Sequence, residues 1–218
     1  MKHFLFRLLN MVIGLVLFAL GIVTTVKANI GFPPWDVFHV GLSETLGLTF
    51  GITSMVVGMV ILVVVVLMGE KIGLGTIVNI VVIGIFIDII IFVDIIQTPE
   101  NLVLGILMLI LGLFFVSIGS YFYIGSGFGT GPRDGLMVVL TKRTKLPVGI
   151  CRSAVELLVT VVGWLLGGMV GIGTLISVIG IGFCIQITFR VLRFDITKIE
   201  HESLRDTFNA LAKMKNNQ

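Results

Sequence analysis

Charged residues are scarce in this sequence, and their scarcity decides the class of protein. Only 12% of its 218 residues are Asp, Glu, Lys or Arg, against about 25% in a typical soluble domain. Hydrophobic residues make up 56% of the chain, and the mean hydropathy is +1.14. A soluble globular domain is therefore excluded, and the sequence predicts an integral membrane protein with the lipid bilayer as its first partner. No nucleic-acid partner is expected.

Cysteine and histidine are also few, which removes several kinds of chemistry. The two cysteines, Cys151 and Cys184, lie inside apolar runs and form neither a disulfide framework nor a metal-ligand pattern. His39 has no second ligand at a helical spacing and is expected at the membrane interface. No nucleophile with a base and no nucleotide-binding loop is present, so we expect no enzyme, no cofactor and no metal.

What the chain does contain is long, continuous apolar runs of about 17 to 25 residues, which predict membrane helices rather than the short alternating strands of a barrel. The expected spans are 4–26, 50–68, 76–92, 102–124, 148–166 and 174–192. Two shorter helices are expected at 35–46 and 133–144. The fold class is therefore all-α, with six transmembrane helices.

The chain is also an internal repeat with a period of 98 residues (129 − 31). This shift places eight glycines of the first half on glycines of the second half, where about two coincidences are expected by chance. The pairs are Gly14 and Gly112, Gly21 and Gly119, Gly31 and Gly129, Gly51 and Gly149, Gly69 and Gly167, Gly73 and Gly171, Gly75 and Gly173, and Gly84 and Gly182.

The repeat predicts an inverted arrangement, because each copy holds three spans and an odd number reverses the direction of the second copy. Charge supports one orientation: with both termini in the cytoplasm, every Lys and Arg except Lys27 falls on the inner side. The expected parts are a first membrane repeat at 1–93, an extracytoplasmic linker at 94–101, a second repeat at 102–193 and a cytoplasmic helical tail at 194–218.

Each short helix follows a helix-break motif in which glycine and proline precede a carboxylate. The motif residues are Gly31, Pro33 and Pro34 in the first copy and Gly129, Gly131 and Pro132 in the second. Proline suits the first position of a helix, and an acidic side chain suits its first turn. Two placements are open: the short helices re-enter the membrane from opposite faces, or they lie flat in the interface.

The sparse intramembrane charges are the candidate substrate pathway. Asp36 and Asp134 are helix-start caps, ligands for a cation or proton, or both. Arg133 is a cytoplasmic positive-inside residue, a local partner for Asp134 or a member of the site. Glu156 lies about two turns into its span, with Arg152 four residues earlier on the same face. That pair is either a satisfied ion pair or part of a water-lined pathway.

The motif Gly-Phe-Pro-Pro-Trp-Asp-Val-Phe at 31–38, its partner Gly-Thr-Gly-Pro-Arg-Asp-Gly-Leu at 129–136 and the Gly-Leu-Gly-Thr and Gly-Ile-Gly-Thr turns carry a resemblance. They resemble the bacterial YczE/YyaS/YitT family of integral membrane proteins over nearly the whole chain except the tail. The resemblance implies a multi-pass protein of the bacterial plasma membrane. It implies no set of functional residues.

Three functional classes follow from these features. A small-solute transporter or channel is favoured by the inverted repeat, the paired helix breaks and the few deep charges. Its balanced charge suits a small polar or zwitterionic solute, or one coupled to proton movement. An accessory membrane protein of a biosynthetic or signalling complex is the alternative, and an intramembrane enzyme comes last. A homo-oligomer or another membrane partner remains open.

Overall fold

The computed structural model describes residues 2–194, 199 and 202–204, and this part of the chain contains eight α-helices and no strand. The helices are α1 (Lys2–Lys27), α2 (Pro34–Leu46), α3 (Phe50–Leu67), α4 (Leu74–Val93), α5 (Leu102–Gly125), α6 (Pro132–Thr144), α7 (Val148–Leu165) and α8 (Ile172–Val191).

Six of these helices are long and apolar enough to cross a membrane, namely α1, α3, α4, α5, α7 and α8. The prediction of six spans with two short helices between them is therefore confirmed, and every predicted boundary lies within two residues of the observed one. The protein is a multi-pass α-helical membrane protein. The predicted tail helix falls almost entirely outside the described residues.

The centre of the fold is the antiparallel pair of α1 and α5, whose backbones touch at glycines. A Cβ atom added to Gly14 would lie 2.6 Å from the backbone nitrogen of Tyr123. One added to Gly21 would lie 2.6 Å from the backbone nitrogen of Val116. Small residues let membrane helices approach this closely, and the close approach supplies the van der Waals contact that holds them together.

The other helices pack around this pair in a regular order. α4 packs on α1 and on α3, while α8 packs on α5. The short helix α2 packs against α7, and the short helix α6 packs against α3. The largest difference between the halves is that α3 lies along α4, whereas α7 and α8 hardly touch.

The loop before each short helix is bound to the other half of the chain. The backbone N–H of Gly173, at the start of α8, donates to the carbonyl of Ile30 at 2.7 Å. In the same way, the N–H of Gly75, at the start of α4, donates to the carbonyl of Phe128 at 2.8 Å. Each loop therefore uses free N–H groups at the start of a helix from the opposite half.

Glycine is required at the turn of both loops for two reasons. Gly31 has a φ of +110° and Gly129 a φ of +123°, values that other residues rarely adopt. A Cβ atom on Gly31 would also lie 2.5 Å from the nitrogen of Gly171, and one on Gly129 would lie 2.9 Å from the Cα atom of Gly73. These loops therefore tolerate no side chain at either turn.

Two ion pairs lie near the two ends of the first span. Lys27, the one base that the charge pattern leaves on the opposite side, pairs with Asp94 at 2.5 Å. Its hydrogen bond and its charge lower the pKa of the exposed Asp94 carboxyl below 3.8, the ordinary value. At the other end, Arg7 pairs with Glu202 at 2.6 Å. These pairs join the first span to the linker and to the residues after α8.

Candidate functional site

The two short helices begin as the sequence predicts. Pro34 and Pro132 occupy the first helical positions of α2 and α6, and Asp36 and Asp134 lie in the first turns. The residue before each proline makes no side-chain capping hydrogen bond. Negative charge in the first turn is favoured by the helix dipole, so both aspartates lie where a carboxylate is best tolerated.

A cavity of about 480 Å³ lies between the helices, and residues from all eight described helices line it. Its volume is in the usual range for small-molecule sites. It brings together all five candidate pathway residues, which are Asp36, Arg133, Asp134, Arg152 and Glu156. Four residues of the helix-break motifs also line it, namely Pro33, Pro34, Gly131 and Pro132. Gly31 and Gly129 belong to the two bound loops and are not among the lining residues.

Arg133 joins the two short helices across this cavity. Its guanidinium lies over the ring of Trp35, with 4.8 Å between the guanidinium carbon and the ring centroid. One terminal nitrogen of Arg133 lies 3.3 Å from Nδ1 of His39. A cation over an indole face is attracted by the ring quadrupole. The first turn of α6 therefore contacts the first half of α2 directly.

His39 is buried, which makes its expected interfacial position wrong. The side chain is only 2% exposed and lies among the rings of Trp35, Phe38 and Phe50. Arginine has no acceptor, so Nδ1 of His39 accepts from Arg133 and the ring proton lies on Nε2. The helical pattern of α2 alone did not reveal this burial, because the residues from other helices that contact the ring are Phe50 of α3 and Arg133 of α6.

Buried polar atoms remain without hydrogen-bond partners at the cavity. Among the described residues, Oδ1 of Asp36, Nε2 of His39 and the hydroxyl of Tyr123 have none, and all three residues line the cavity. Buried polar groups are normally satisfied, so unpartnered ones mark places for water or a ligand. Tyr123 was missed from the sequence, although a tyrosine deep in an apolar run was a usable signal.

Glu156 and Arg152 form the predicted pair on one face of α7, with 2.8 Å between Nε and Oε1. The Arg152 side chain is 49% exposed and that of Glu156 is 17% exposed. Both residues of this ion pair line the cavity. Arg133 also interacts electrostatically with both members of this pair.

The cavity therefore contains three carboxyl groups and two guanidinium groups, together with a neutral histidine. Asp36 and Asp134 interact with the charge of Arg133, as Glu156 does. With both kinds of charge present, the carboxylates can bind the cationic group of a zwitterion while the guanidinium groups bind its anionic group. Among the described residues, no group of three His, Cys, Asp or Glu side chains is placed to hold a metal ion.

The chain matches the model of a family of unknown function (DUF6198) over residues 5–190. It is 32% identical over 185 residues to the uncharacterized membrane protein YczE of Bacillus subtilis, covering 84% of this chain and 82% of that protein. An uncharacterized protein of Haemophilus influenzae is 31% identical over 185 residues, covering 83% of this chain and 84% of that protein. No solved structure matches the chain.

A third relative, the uncharacterized protein YyaS of Bacillus subtilis, is 31% identical over 169 residues, covering 76% of this chain and 84% of that protein. The resemblance to YczE and YyaS that the glycine and proline motifs indicated is thus confirmed. The matched residues run from the first span almost to the end of the last one. The chain belongs to this family of membrane proteins of unknown function (DUF6198).

Proposed function

We propose that this protein is a permease of the bacterial plasma membrane that moves a small polar or zwitterionic solute, without enzymatic activity. In this proposal both termini lie in the cytoplasm, and the 480 Å³ cavity is the solute site. The two halves of the chain are inverted repeats, and the site lies where they meet.

The inversion is supported by contacts that recur at a distance of 98 residues. The hydrogen bond from Gly173 to Ile30 repeats the one from Gly75 to Phe128 with the halves exchanged. The packing of α1 on α4 corresponds in the same way to that of α5 on α8. The antiparallel direction of α1 and α5 is the relation that an inverted pair requires.

Re-entry of the short helices is supported by the place where their first turns lie. Asp36 and Asp134 both line the cavity between the spans, and Arg133 reaches Trp35 and His39 of the other short helix. Helices lying flat at opposite faces of a membrane would be too far apart for these contacts. We therefore place both first turns within the bilayer, with irregular backbone only where protein covers it.

A difference between the halves carries the proposal of movement. Gly51 of α3 and Gly84 of α4 pack so tightly that a Cβ atom on Gly51 would lie 2.1 Å from the carbonyl oxygen of Gly84. Their counterparts, Gly149 of α7 and Gly182 of α8, have no neighbour within 4 Å of such an atom. The second half therefore has glycines at the positions where α7 and α8 could pack closely, but these two helices do not make that contact.

We interpret this difference as one of two alternating states. In the other state α7 closes on α8 through Gly149 and Gly182, while α3 separates from α4. When each half adopts the conformation that the other half has now, the cavity opens on the opposite side of the membrane. Inverted repeats give alternating access in this way. Asp36, Asp134 and Arg133 stay at the point where the halves meet and keep contact with the solute in both states.

Spin-label distances across α7 and α8 test the movement without a known substrate. Labels are placed on cysteines introduced at Leu157 and Ile179, two strongly exposed positions, after both native cysteines are replaced by serine. We expect a long and a short distance population. Gly182→Val should fold normally, because the present state has room for its side chain, and should remove the short population because it blocks closure.

Gly84→Val is the matched variant, because its side chain would meet Met55 at 2.3 Å in the closed half. It should lower stability where Gly182→Val does not. Flux of a panel of zwitterionic solutes into proteoliposomes is then measured for the unmodified protein and for Gly182→Val. One fixed distance, together with no flux of any solute, would refute the permease and favour the accessory membrane protein.

A further inference from the structure

The gap between α7 and α8 connects the charged cavity with the outer surface of the bundle. Val178 of α8 lines the cavity and is also 48% exposed. Arg152 of α7 lines it from the other side with a half-exposed side chain. α7 and α8 also make almost no contact with each other. From the exposed lining residues on both helices and this lack of contact, we infer that the cavity opens between α7 and α8.

The two sides of this opening differ in chemistry. The α8 side presents mainly apolar residues, namely Val178, Ile181, Ile185 and Phe189. The one polar side chain among the described residues on that side is Ser177, whose hydroxyl donates to the carbonyl of Gly173 within α8. The opposite side presents the charged residues Arg133 and Asp134 of α6 and Arg152 and Glu156 of α7. A ligand that fills the opening therefore meets hydrocarbon on one side and mixed charge on the other.

A membrane imposes a condition on such an opening. The hydrocarbon core contains no water to fill it, so whatever enters sideways comes from the lipid phase. A wholly polar solute would have to cross hydrocarbon to use this route, whereas an amphiphile keeps its chain in the bilayer. Arg152 and Glu156 lie about one and two turns from the start of α7, which puts their charges about 6 to 12 Å along the helix.

We propose that the ligand of this cavity is a zwitterionic amphiphile that enters from the bilayer between α7 and α8. Its anionic group binds the guanidinium groups of Arg133 and Arg152, and its cationic group binds the carboxylates of Asp134 and Glu156. Its chain lies along the apolar side of α8. This inference rests on the proposed function, in that it names the solute of the same site.

The proposed ligand also accounts for the buried polar atoms that have no hydrogen-bond partner in the cavity. Asp36, His39 and Tyr123 are each at least nine-tenths buried and line the inner end of the same cavity. A head group placed among the charges brings donors and acceptors to these atoms. A bulk lipid chain in the gap would leave these atoms without hydrogen-bond partners, which is unfavourable for buried polar groups.

Photolabelling of the intact protein in nanodiscs tests the inference. The probe is a single-chain phosphoethanolamine with a diazirine in its chain, because its primary ammonium group can donate hydrogen bonds to carboxylates, and labelled residues are located by mass spectrometry. We expect labelling concentrated at Ile181 and Ile185 and competed by excess unlabelled single-chain phosphoethanolamine. Glycerophosphoethanolamine, which has the same head group and no chain, should compete at least tenfold less well.

Two variants and a control connect the labelling with the charges. Arg133→Gln and Glu156→Gln should each reduce labelling at the gap about tenfold, the loss expected for one charge-assisted hydrogen bond. Arg143→Gln, on an exposed part of α6 outside the cavity, should leave it unchanged. Labelling at a lipid-facing position such as Leu107 gives the internal reference.

Several results would overturn the inference. Equal labelling of the gap and of the lipid-facing reference, unaffected by the variants, would show bulk lipid only. Equal competition by the chain-free head group, or flux of soluble solutes without labelling, would support a polar solute instead. A second copy of the chain covering α7 and α8, with no label there, would also refute it. Specific labelling without flux would support the ligand and refute transport.

Discussion

Alanine at Gly51 and alanine at Gly149 should affect stability in opposite ways, although the two positions are related by the 98-residue repeat. At Gly51 the new methyl group would lie 2.1 Å from the carbonyl oxygen of Gly84 and 2.6 Å from the carboxyl carbon of Asp88. It would also push away a carboxylate that accepts the Gly51 N–H at 2.7 Å. At Gly149 nothing lies within 4 Å.

The size of the stability difference follows from comparing the two variants, because the gain in helix propensity is the same in both and cancels. Replacing glycine by alanine inside a helix favours the helix by up to about 1 kcal/mol at either position. Overpacking costs about 1 to 3 kcal/mol and applies only at Gly51. The free energies of unfolding of the two variants should therefore differ by about 1 to 3 kcal/mol, with Gly149→Ala at least as stable as the unmodified protein.

Unfolding of the purified variants in mixed micelles, followed by far-ultraviolet circular dichroism, measures this difference. Retention of the helical signal before unfolding is the control that each variant inserts and folds. Equal destabilisation by Gly51→Ala and Gly149→Ala would mean that α7 already packs on α8 in the resting protein. The cavity would then not be open between α7 and α8, and the proposal of two alternating states would lose the observation on which it mainly rests.

Two further predictions concern orientation and the carboxylates. Cysteines placed in the 94–101 linker should react with an impermeant reagent added to intact cells, whereas one at the C-terminus should react only after lysis; the reverse pattern would contradict the charge-based orientation. Asp36→Asn and Asp134→Asn should keep the fold and abolish solute or proton flux in proteoliposomes, because they remove the charge but keep the size of the side chain. Unchanged flux in both would leave these aspartates with a role at the helix starts alone.

Much of the fold was predictable because each membrane-spanning helix corresponds to one continuous apolar run in the sequence. The two short helices were found for a second reason: Pro34 and Pro132 mark first turns in any environment. The 98-residue spacing of the glycines also indicated which loops correspond, and Gly31 and Gly129 at the turns of these loops both have a positive φ.

The site was predictable in its charges but not in its burial. Asp36, Arg133 and Glu156 were identified because charge deep in an apolar chain is costly and therefore conspicuous. His39 and Tyr123 carry no charge, and their burial results from helices that are distant in the sequence. The open space at Gly149 could not be predicted from the sequence, because the corresponding residue of the first half, Gly51, is also a glycine and is tightly packed.

The exchange of loops between the halves has a consequence for how the protein is made. When the first 93 residues have left the ribosome, α1 still lacks α5, and the carbonyl of Ile30 still lacks the N–H of Gly173. The helix-break loop of the first half therefore lacks this hydrogen bond until α8 is inserted. Because each half supplies hydrogen-bond donors to a loop of the other half, we expect that a gene divided at the linker must supply both pieces to the same membrane.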